Sequence, residues 1–309
     1  MAARQQTVAE WIDRIAVQFD RAGLHFGHGT DNARDEAAWV VLHAVGAPLD
    51  GRFTDWGKVV NGPQEAEIQR LADTRCDSGE PLAYLTGRAW FAGLEFEVTR
   101  DVLVPRSPLA ELILDKFRPW AEPGRVRRVL DLCTGCGCIA IATAVQLPGA
   151  QVDASDISRA ALAVAANNVE RHGLAGRVRL LHSDLFQSLA PCRYDLIVAN
   201  PPYVALDTLE SLPSEYRAEP GLGLVSGTDG LDATLEILGA APHYLAPDGI
   251  LFCEVGESET GLVSALPSVP FLWLEFEHGG SGVFALTRAE LEAAQPAVQA
   301  LIKVRKNVA

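Results

Sequence analysis

Asn200-Pro201-Pro202-Tyr203 brings two hydrogen-bond acceptors and a flat ring together in four residues. The Asn200 side-chain oxygen can accept from an NH2 group. Pro201 and Pro202 carry no N–H, so they stiffen the chain into an extended turn whose carbonyls face outward. Tyr203 adds a face on which a planar group can stack. The combination is a clamp for a planar nitrogen, such as a side-chain amide or the exocyclic amine of a base. An Asn-Pro turn also occurs in ordinary loops, so its neighbours decide how it is read.

Those neighbours are strands of an α/β pattern. Tyr194–Ala199 is an apolar run that reads as a buried strand, which puts the quartet at a strand's C-terminal end, where open α/β sheets hold their chemistry. Upstream, the strand Val129–Leu132 runs into Cys133-Thr134-Gly135-Cys136-Gly137 and then a helix over 138–146. The two glycines allow a tight turn and a close backbone approach to a ligand. The next strand, 151–155, ends at Asp156 and Ile157, where a carboxylate can accept both hydroxyls of a ribose. A third strand, 178–181, leads to Ser183-Asp184-Leu185-Phe186, a carboxylate for an adenine amino group beside an apolar wall. Asp131 precedes the glycine turn and either orders it or reaches a cationic amino group through water. Gly135-x-Gly137-x-x-Ala140 alone fits a dinucleotide fingerprint, so NAD and S-adenosylmethionine are both admitted. Asp131, Asp184 and the clamp favour the methyl donor, because hydride transfer has no use for a clamp on nitrogen. The candidate catalytic residues are Asn200, Pro201, Pro202 and Tyr203. The candidate cofactor contacts are Asp131, Cys133, Thr134, Gly135, Cys136, Gly137, Asp156, Ile157, Asp184, Leu185 and Asn200.

The first hundred residues follow another pattern. Thr7-Val8-Ala9-Glu10 is a capping box, with Val8, Trp11, Ile12, Ile15 and Phe19 at helical spacing. Asp31 is expected to cap a second helix, and Pro63 suits the first turn of a third with Ile68 and Leu71 inward. Alternation over 91–104 predicts a β-hairpin before Pro105-Arg106-Ser107-Pro108 breaks the chain. Beyond the central strands, 232–244 reads as a helix and 249–255 as a strand. Residues 271–276 and 283–286, separated by Gly279-Gly280-Ser281-Gly282, read as an antiparallel edge hairpin. The expected domains are an N-terminal helical substrate-recognition domain over 1–87, a β-hairpin linker over 88–107 and a catalytic α/β domain over 108–309.

Composition narrows the partners. The 309 residues carry a formal net charge of −14, which disfavours a long basic groove for nucleic acid and steers a basic partner toward the surface. No apolar run is long enough for a membrane helix, and the polar start Met1–Glu10 lacks the core of a signal peptide, so no membrane partner and a cytoplasmic location are expected. Cys133 and Cys136 form a C-x-x-C without a second pair at zinc spacing, so no metal is expected.

The run Leu130-Asp131-Leu132-x-Thr134-Gly135-x-Gly137 together with Asn200-Pro201-Pro202-Tyr203 resembles the class I S-adenosylmethionine-dependent amino methyltransferases. These include DNA adenine methyltransferases and protein glutamine methyltransferases. Gly79-Glu80-Pro81-Leu82-Ala83-Tyr84-Leu85-Thr86-Gly87, Phe91-x-Gly93-Leu94-x-Phe96 and Val102-Leu103-Val104-Pro105-Arg106 are similar to the linker of the glutamine methyltransferases, so the resemblance covers nearly the whole chain. Within that family, Ser107 in Pro105-Arg106-Ser107-Pro108, Cys133 in the glycine loop and the run Trp273–Phe284 depart from the release-factor enzymes. They are similar to the branch that methylates large-subunit ribosomal protein three. The resemblance implies a Rossmann-like, mostly parallel sheet with an antiparallel C-terminal hairpin, and S-adenosylmethionine converted to S-adenosylhomocysteine. It also implies a basic ribosomal protein as substrate and no stable nucleic-acid partner. Release factors as substrate, a base-amine methyltransferase acting on nucleic acid, and a non-catalytic nucleotide binder are the rival readings.

Overall fold

The structure, a computed structural model, describes residues 5–307, without the side chain of Glu210. The outermost residues of the two expected terminal domains, 1–4 and 308–309, lie outside the described residues. By its contacts the chain divides into two compact units. The first holds residues up to Arg100 with Val104–Arg106 and Pro213–Ala218, and the second holds Asp101–Leu103, Ser107–Leu212 and the chain from Glu219 onward.

The first unit contains helices α1 (Val8–Ala22), α2 (Ala33–Ala44), α3 (Gly62–Ser78) and the short α4 (Leu82–Thr86), followed by strands β1 (Arg88–Phe91) and β2 (Leu94–Glu97). Thr7 caps α1 in a complete capping box with Glu10, which satisfies backbone N–H groups that the first helical turn leaves without partners. Val8, Ile15 and Phe19 of α1, Val40 and Val41 of α2, and Ile68 and Leu71 of α3 are fully buried. The cap of α2 is Asn32, not Asp31: its side chain accepts from the Asp35 backbone N–H. Both residue types cap well, so the sequence alone does not choose between neighbours. The hairpin is also earlier than expected, 88–97 rather than 91–104, because Ala92 and Gly93 take positive φ (48° and 76°) and form its turn. An Ala-Gly pair is a weaker turn signal than Asn-Gly.

The second unit opens with α5 (Leu109–Leu114) and continues as β3 (Arg128–Leu132), α6 (Cys138–Gln146), β4 (Gln151–Asp156), α7 (Arg159–Arg171), β5 (Val178–His182) and β6 (Tyr194–Ala199). Then come α8 (Gly221–Leu224), α9 (Asp232–Ala240), β7 (Leu245–Glu254), α10 (Glu259–Ala265), β8 (Leu272–Trp273), β9 (Val283–Thr287) and α11 (Arg288–Lys306). Seven strands form one sheet in the order β5-β4-β3-β6-β7-β9-β8. β3 to β7 run parallel, and β9 is antiparallel to both β7 and β8. The expected edge hairpin is therefore present.

Alternation along the strands separates the two faces of the sheet. Leu130, Leu132, Ile197, Ala199, Leu251 and Cys253 share one core with α9, α10 and α11. Asp131, Val198 and Phe252 lie on the opposite face, where Phe252 meets Phe117 after α5. The chain starts at β3, winds outward to β5 and returns to β6 on the other side of β3. The β3/β6 boundary is thus the topological switch point, where open sheets bind ligands beyond the carboxyl ends of the strands.

Candidate active site

Strand register brings the sequence motifs to one edge. Leu132 pairs with Ser155 on one side and Ala199 on the other, so the glycine turn after β3, Asp156 at the end of β4 and Asn200 after β6 emerge side by side. Asp156 pairs in turn with His182, after which Ser183 and Asp184 continue from β5.

Asp131 is fully buried. Its Oδ2 accepts from the Thr134 hydroxyl at 2.5 Å and from the Ala140 N–H at 3.1 Å, tying β3 to the glycine turn and to the first turn of α6. Its Oδ1 is buried without a hydrogen-bond partner among the described residues. Burial, helped by the nearby negative charge of Asp156, pushes the Asp131 carboxyl up to about 7. Of the two expected roles, ordering the loop is directly visible.

The turn places Cys133, Gly135 and Gly137 at φ 60°, 55° and 85°. Cys133 adopts this left-handed backbone although it has a Cβ, which costs an L-residue roughly 1–2 kcal/mol. A Cβ at Gly135 would meet nothing within 4 Å, which leaves that backbone open to a ligand. At Gly137 a Cβ would press on Ala165 and Ile141 at 3.3 Å, so this glycine serves the approach of α6 to α7. The Gly135 N–H donates to Asp156 Oδ2 at 2.9 Å, and the Ser158 N–H donates to Oδ1 at 2.8 Å. A carboxylate offers about four lone-pair sites, so Asp156 keeps acceptor capacity for a ligand hydroxyl. Burial raises the Asp156 carboxyl above its usual range despite backbone hydrogen bonds from Ser158, Gly135 and Ile157. Ile157 beside it is an exposed apolar side chain, 45% accessible. Asp184 is exposed and accepts from Gln187, and Leu185 takes φ 43°.

After β6, Asn200 is half-buried, Pro201 buried, and Pro202 and Tyr203 half-buried. Tyr203 is held from several sides. Its hydroxyl donates to Glu254 at 3.0 Å, and its carbonyl accepts from the Ser258 hydroxyl at 2.7 Å. Its ring lies so near Gly256 that a Cβ there would come within 2.6 Å of it, and Gly230 packs more closely still on its carbonyl. Glu254, Gly256 and Ser258 are not sequence candidates, whereas Asp229-Gly230-Leu231 resembles family positions that turn chemistry explains as well. Glu254 did leave a signal, as the one charge in the apolar run Ile250–Val255.

Beyond Tyr203, Val204 bridges to Val225 and the Leu206 N–H donates to the Gly227 carbonyl, which closes the base of an excursion. Its segment Pro213–Ala218 belongs to the first unit. There Glu215 pairs with Arg75 at 3.2 Å, while Arg75 also pairs with Glu36 at 2.6 Å and donates to the His25 carbonyl. Arg106 stacks over Tyr216 at 5.1 Å in the same unit. Asp229 is bound through both oxygens by Arg305 of α11, which holds its carboxyl below the usual range. All six cysteines are free, and no metal-binding group of His, Cys, Asp or Glu occurs among the described residues.

The methyltransferase small domain family matches residues 110–211. The ribosomal protein uL3 glutamine methyltransferase of Xanthomonas campestris is 49% identical over 300 residues, covering 97% of each chain. The protein of the same description from Neisseria meningitidis serogroup B is 48% identical over 94% of this chain and 96% of that one. This chain belongs to the family of ribosomal protein uL3 glutamine methyltransferases. The resemblance carried by Ser107, Cys133 and the 273–284 run therefore pointed to the right branch. Among solved structures, the catalytic domain of hMettl16 matches with a TM-score of 0.51 at 18% identity, over 80% of this chain and 91% of that one. At that identity the likeness concerns the fold alone, a class I methyltransferase α/β fold. No described helix is long and apolar enough to cross a membrane.

Proposed function

We propose that this protein transfers the methyl group of S-adenosylmethionine to the side-chain amide nitrogen of a glutamine in ribosomal protein uL3. The observation that carries the reading is the register Leu132–Ala199, which sets the Asn200 clamp beside the glycine turn at the switch point. Relatives of that description, matched over nearly the whole chain, support the acceptor.

The residues present suit the cofactor. Gly135 leaves open backbone, Asp156 retains lone pairs for the ribose hydroxyls, and Ile157 offers an apolar surface for the adenine. The unpartnered Asp131 Oδ1 is an acceptor for the amino-acid moiety, and Asp184 with Leu185 flanks the adenine amino group. Bound there, the cofactor supplies a sulfonium-activated methyl group.

An amide nitrogen is a poor nucleophile because its lone pair is shared with the carbonyl. The Asn200 side-chain oxygen and the Pro201 carbonyl accept the two N–H bonds of the glutamine, which fixes the nitrogen and stabilises the positive charge that develops on it. Tyr203 packs against the amide plane, and Pro202 stiffens the turn. No general base is required before transfer, since the proton can leave afterwards to water. The net charge of −14 favours the approach of a basic ribosomal protein, and the reading is that of a cytoplasmic enzyme.

The test is incubation with labelled S-adenosylmethionine and uL3, a peptide-release factor or DNA, with the label mapped by mass spectrometry. Label on a uL3 glutamine alone is expected. Label on the release factor would overturn the acceptor, and label in DNA would replace the amide by a base amine.

A further inference from the structure

Asn200-Pro201-Pro202-Tyr203 has fixed φ at its two prolines, so its remaining freedom is set by what anchors its two ends. The Asn200 end is anchored by β6, where Ala199 pairs with Cys253 of β7. Glu254 therefore sits on the neighbouring strand, beside the point where the clamp begins. Alternation turns its side chain away from the core that Cys253 enters and toward the face covered by α5. There Glu254 is 5% exposed and joins two distant segments. Ser107, just before α5, donates to its Oε2 at 2.5 Å, and Tyr203 donates to its Oε1 at 3.0 Å. Ser107 Oγ is in turn held by the Leu109 N–H at 3.2 Å. Each carboxyl oxygen accepts from one hydroxyl, which fixes both rotors.

We infer that Glu254 is a positioning residue for methyl transfer: held by Ser107, it fixes the Tyr203 hydroxyl and so the far end of the clamp that presents the Asn200 and Pro201 acceptors. The inference rests on the proposed transfer to a planar nitrogen at this clamp. In this arrangement Glu254 acts through Tyr203. The close approach of Gly256 to the Tyr203 ring belongs to the same arrangement. It gives the ring a backbone wall, while the hydroxyl contact sets where the ring rests on it.

The test is a double-mutant cycle with kcat, acceptor KM and cofactor Kd measured separately. Glu254→Ala should lower kcat about tenfold or more, the scale of a lost charged hydrogen bond at a positioned group, with cofactor Kd unchanged within about twofold. Tyr203→Phe, which removes only the hydroxyl, should give a loss of the same size. Glu254→Gln keeps the shape and one acceptor, and should recover most of the rate. The double variant Tyr203→Phe/Glu254→Ala should be no slower than the slower single variant, because both act through one contact. Multiplying losses in the double variant, or wild-type kcat in Tyr203→Phe, would overturn the inference. So would a Glu254→Ala defect confined to cofactor Kd. The wild-type enzyme separates this from the acceptor reading. If it labels a release factor or DNA instead of uL3, only the acceptor falls, and the cycle is run on the labelled substrate. If it labels nothing, the positioning role falls too.

Discussion

Asp131→Asn should change how stability depends on pH. In the folded protein the Asp131 carboxyl titrates at about 7, raised from 3.8 by burial. The folded state therefore keeps this proton up to about pH 7, while the unfolded chain releases it near pH 4. Between those values the unfolded state binds fewer protons, so stability is fully present at low pH and is lost as pH rises through the window. The separation, 7 − 3.8, is 3.2 pH units, an upper bound of roughly 4 kcal/mol across the whole window. Most of the lower part has already been lost at pH 5, so the loss between pH 5 and pH 8 is roughly 2–3 kcal/mol. Asparagine has the same shape and still accepts from Thr134 and Ala140, but it carries no titrating proton. The assay is urea unfolding of both proteins without cofactor at pH 5 and pH 8. The variant should gain on the wild type by roughly 2–3 kcal/mol between the two pH values, whatever constant offset its buried NH2 introduces. Parallel pH profiles would refute the reasoning. On the proposed reading the same substitution should weaken cofactor binding in calorimetry at pH 8, where the Asp131 carboxyl is ionised and the amide stays neutral.

Asn200→Ala should lower kcat by about 100-fold or more, the scale of losing a preorganised polar contact, with cofactor Kd within a few-fold of wild type, both read in the labelled-methyl assay. Asp156→Ala removes the acceptor of the Gly135 and Ser158 N–H groups and, on the proposed reading, of the ribose, so calorimetry should show cofactor Kd raised at least about tenfold. Arg75→Met leaves Glu36 and Glu215 buried without their cation, and urea unfolding should show a loss of about 3–5 kcal/mol.

The parts of the site legible in the sequence are those where strand, turn and ligand group lie within a few residues. Val129–Gly137 and Tyr194–Tyr203 each carry an apolar run followed by residues that are unnecessary in a plain turn. Once a parallel sheet is inferred, their meeting follows from topology alone. The contacts of Glu254 and Gly256 are not legible because their partners are distant: Ser107, legible only as a mark of the branch, lies 147 positions from Glu254, and Tyr203 lies 51 from it. A glycine needed for contact with a ring looks like any other glycine in the sequence. Helix α11 has a readable start in the sequence. Thr287 and Glu290 form a capping box, and Leu291, Ala294 and Val298 follow at helical spacing. Pro296 inside the helix masks that pattern, since proline ordinarily ends one. At the other end, β7 begins at Leu245 rather than Gly249, because Pro247 and Gly249 interrupt its apolar run beside a register shift opposite Tyr194 and Leu196.

The ion cluster of Arg75 has a consequence for the order of events during synthesis. The helices that carry Arg75 and Glu36 are made first, but Glu215 follows Arg75 by 140 positions. At about 5–20 residues per second, the ribosome needs roughly 7–28 s to cover that distance. Through this interval the nascent helical unit holds a guanidinium with one of its two carboxylates still unmade. Its last buried charge pair closes only after β3 to β6 and the Asn200 clamp have left the ribosome. The completed N-terminal unit is thus among the later products of translation, although most of its residues are the earliest.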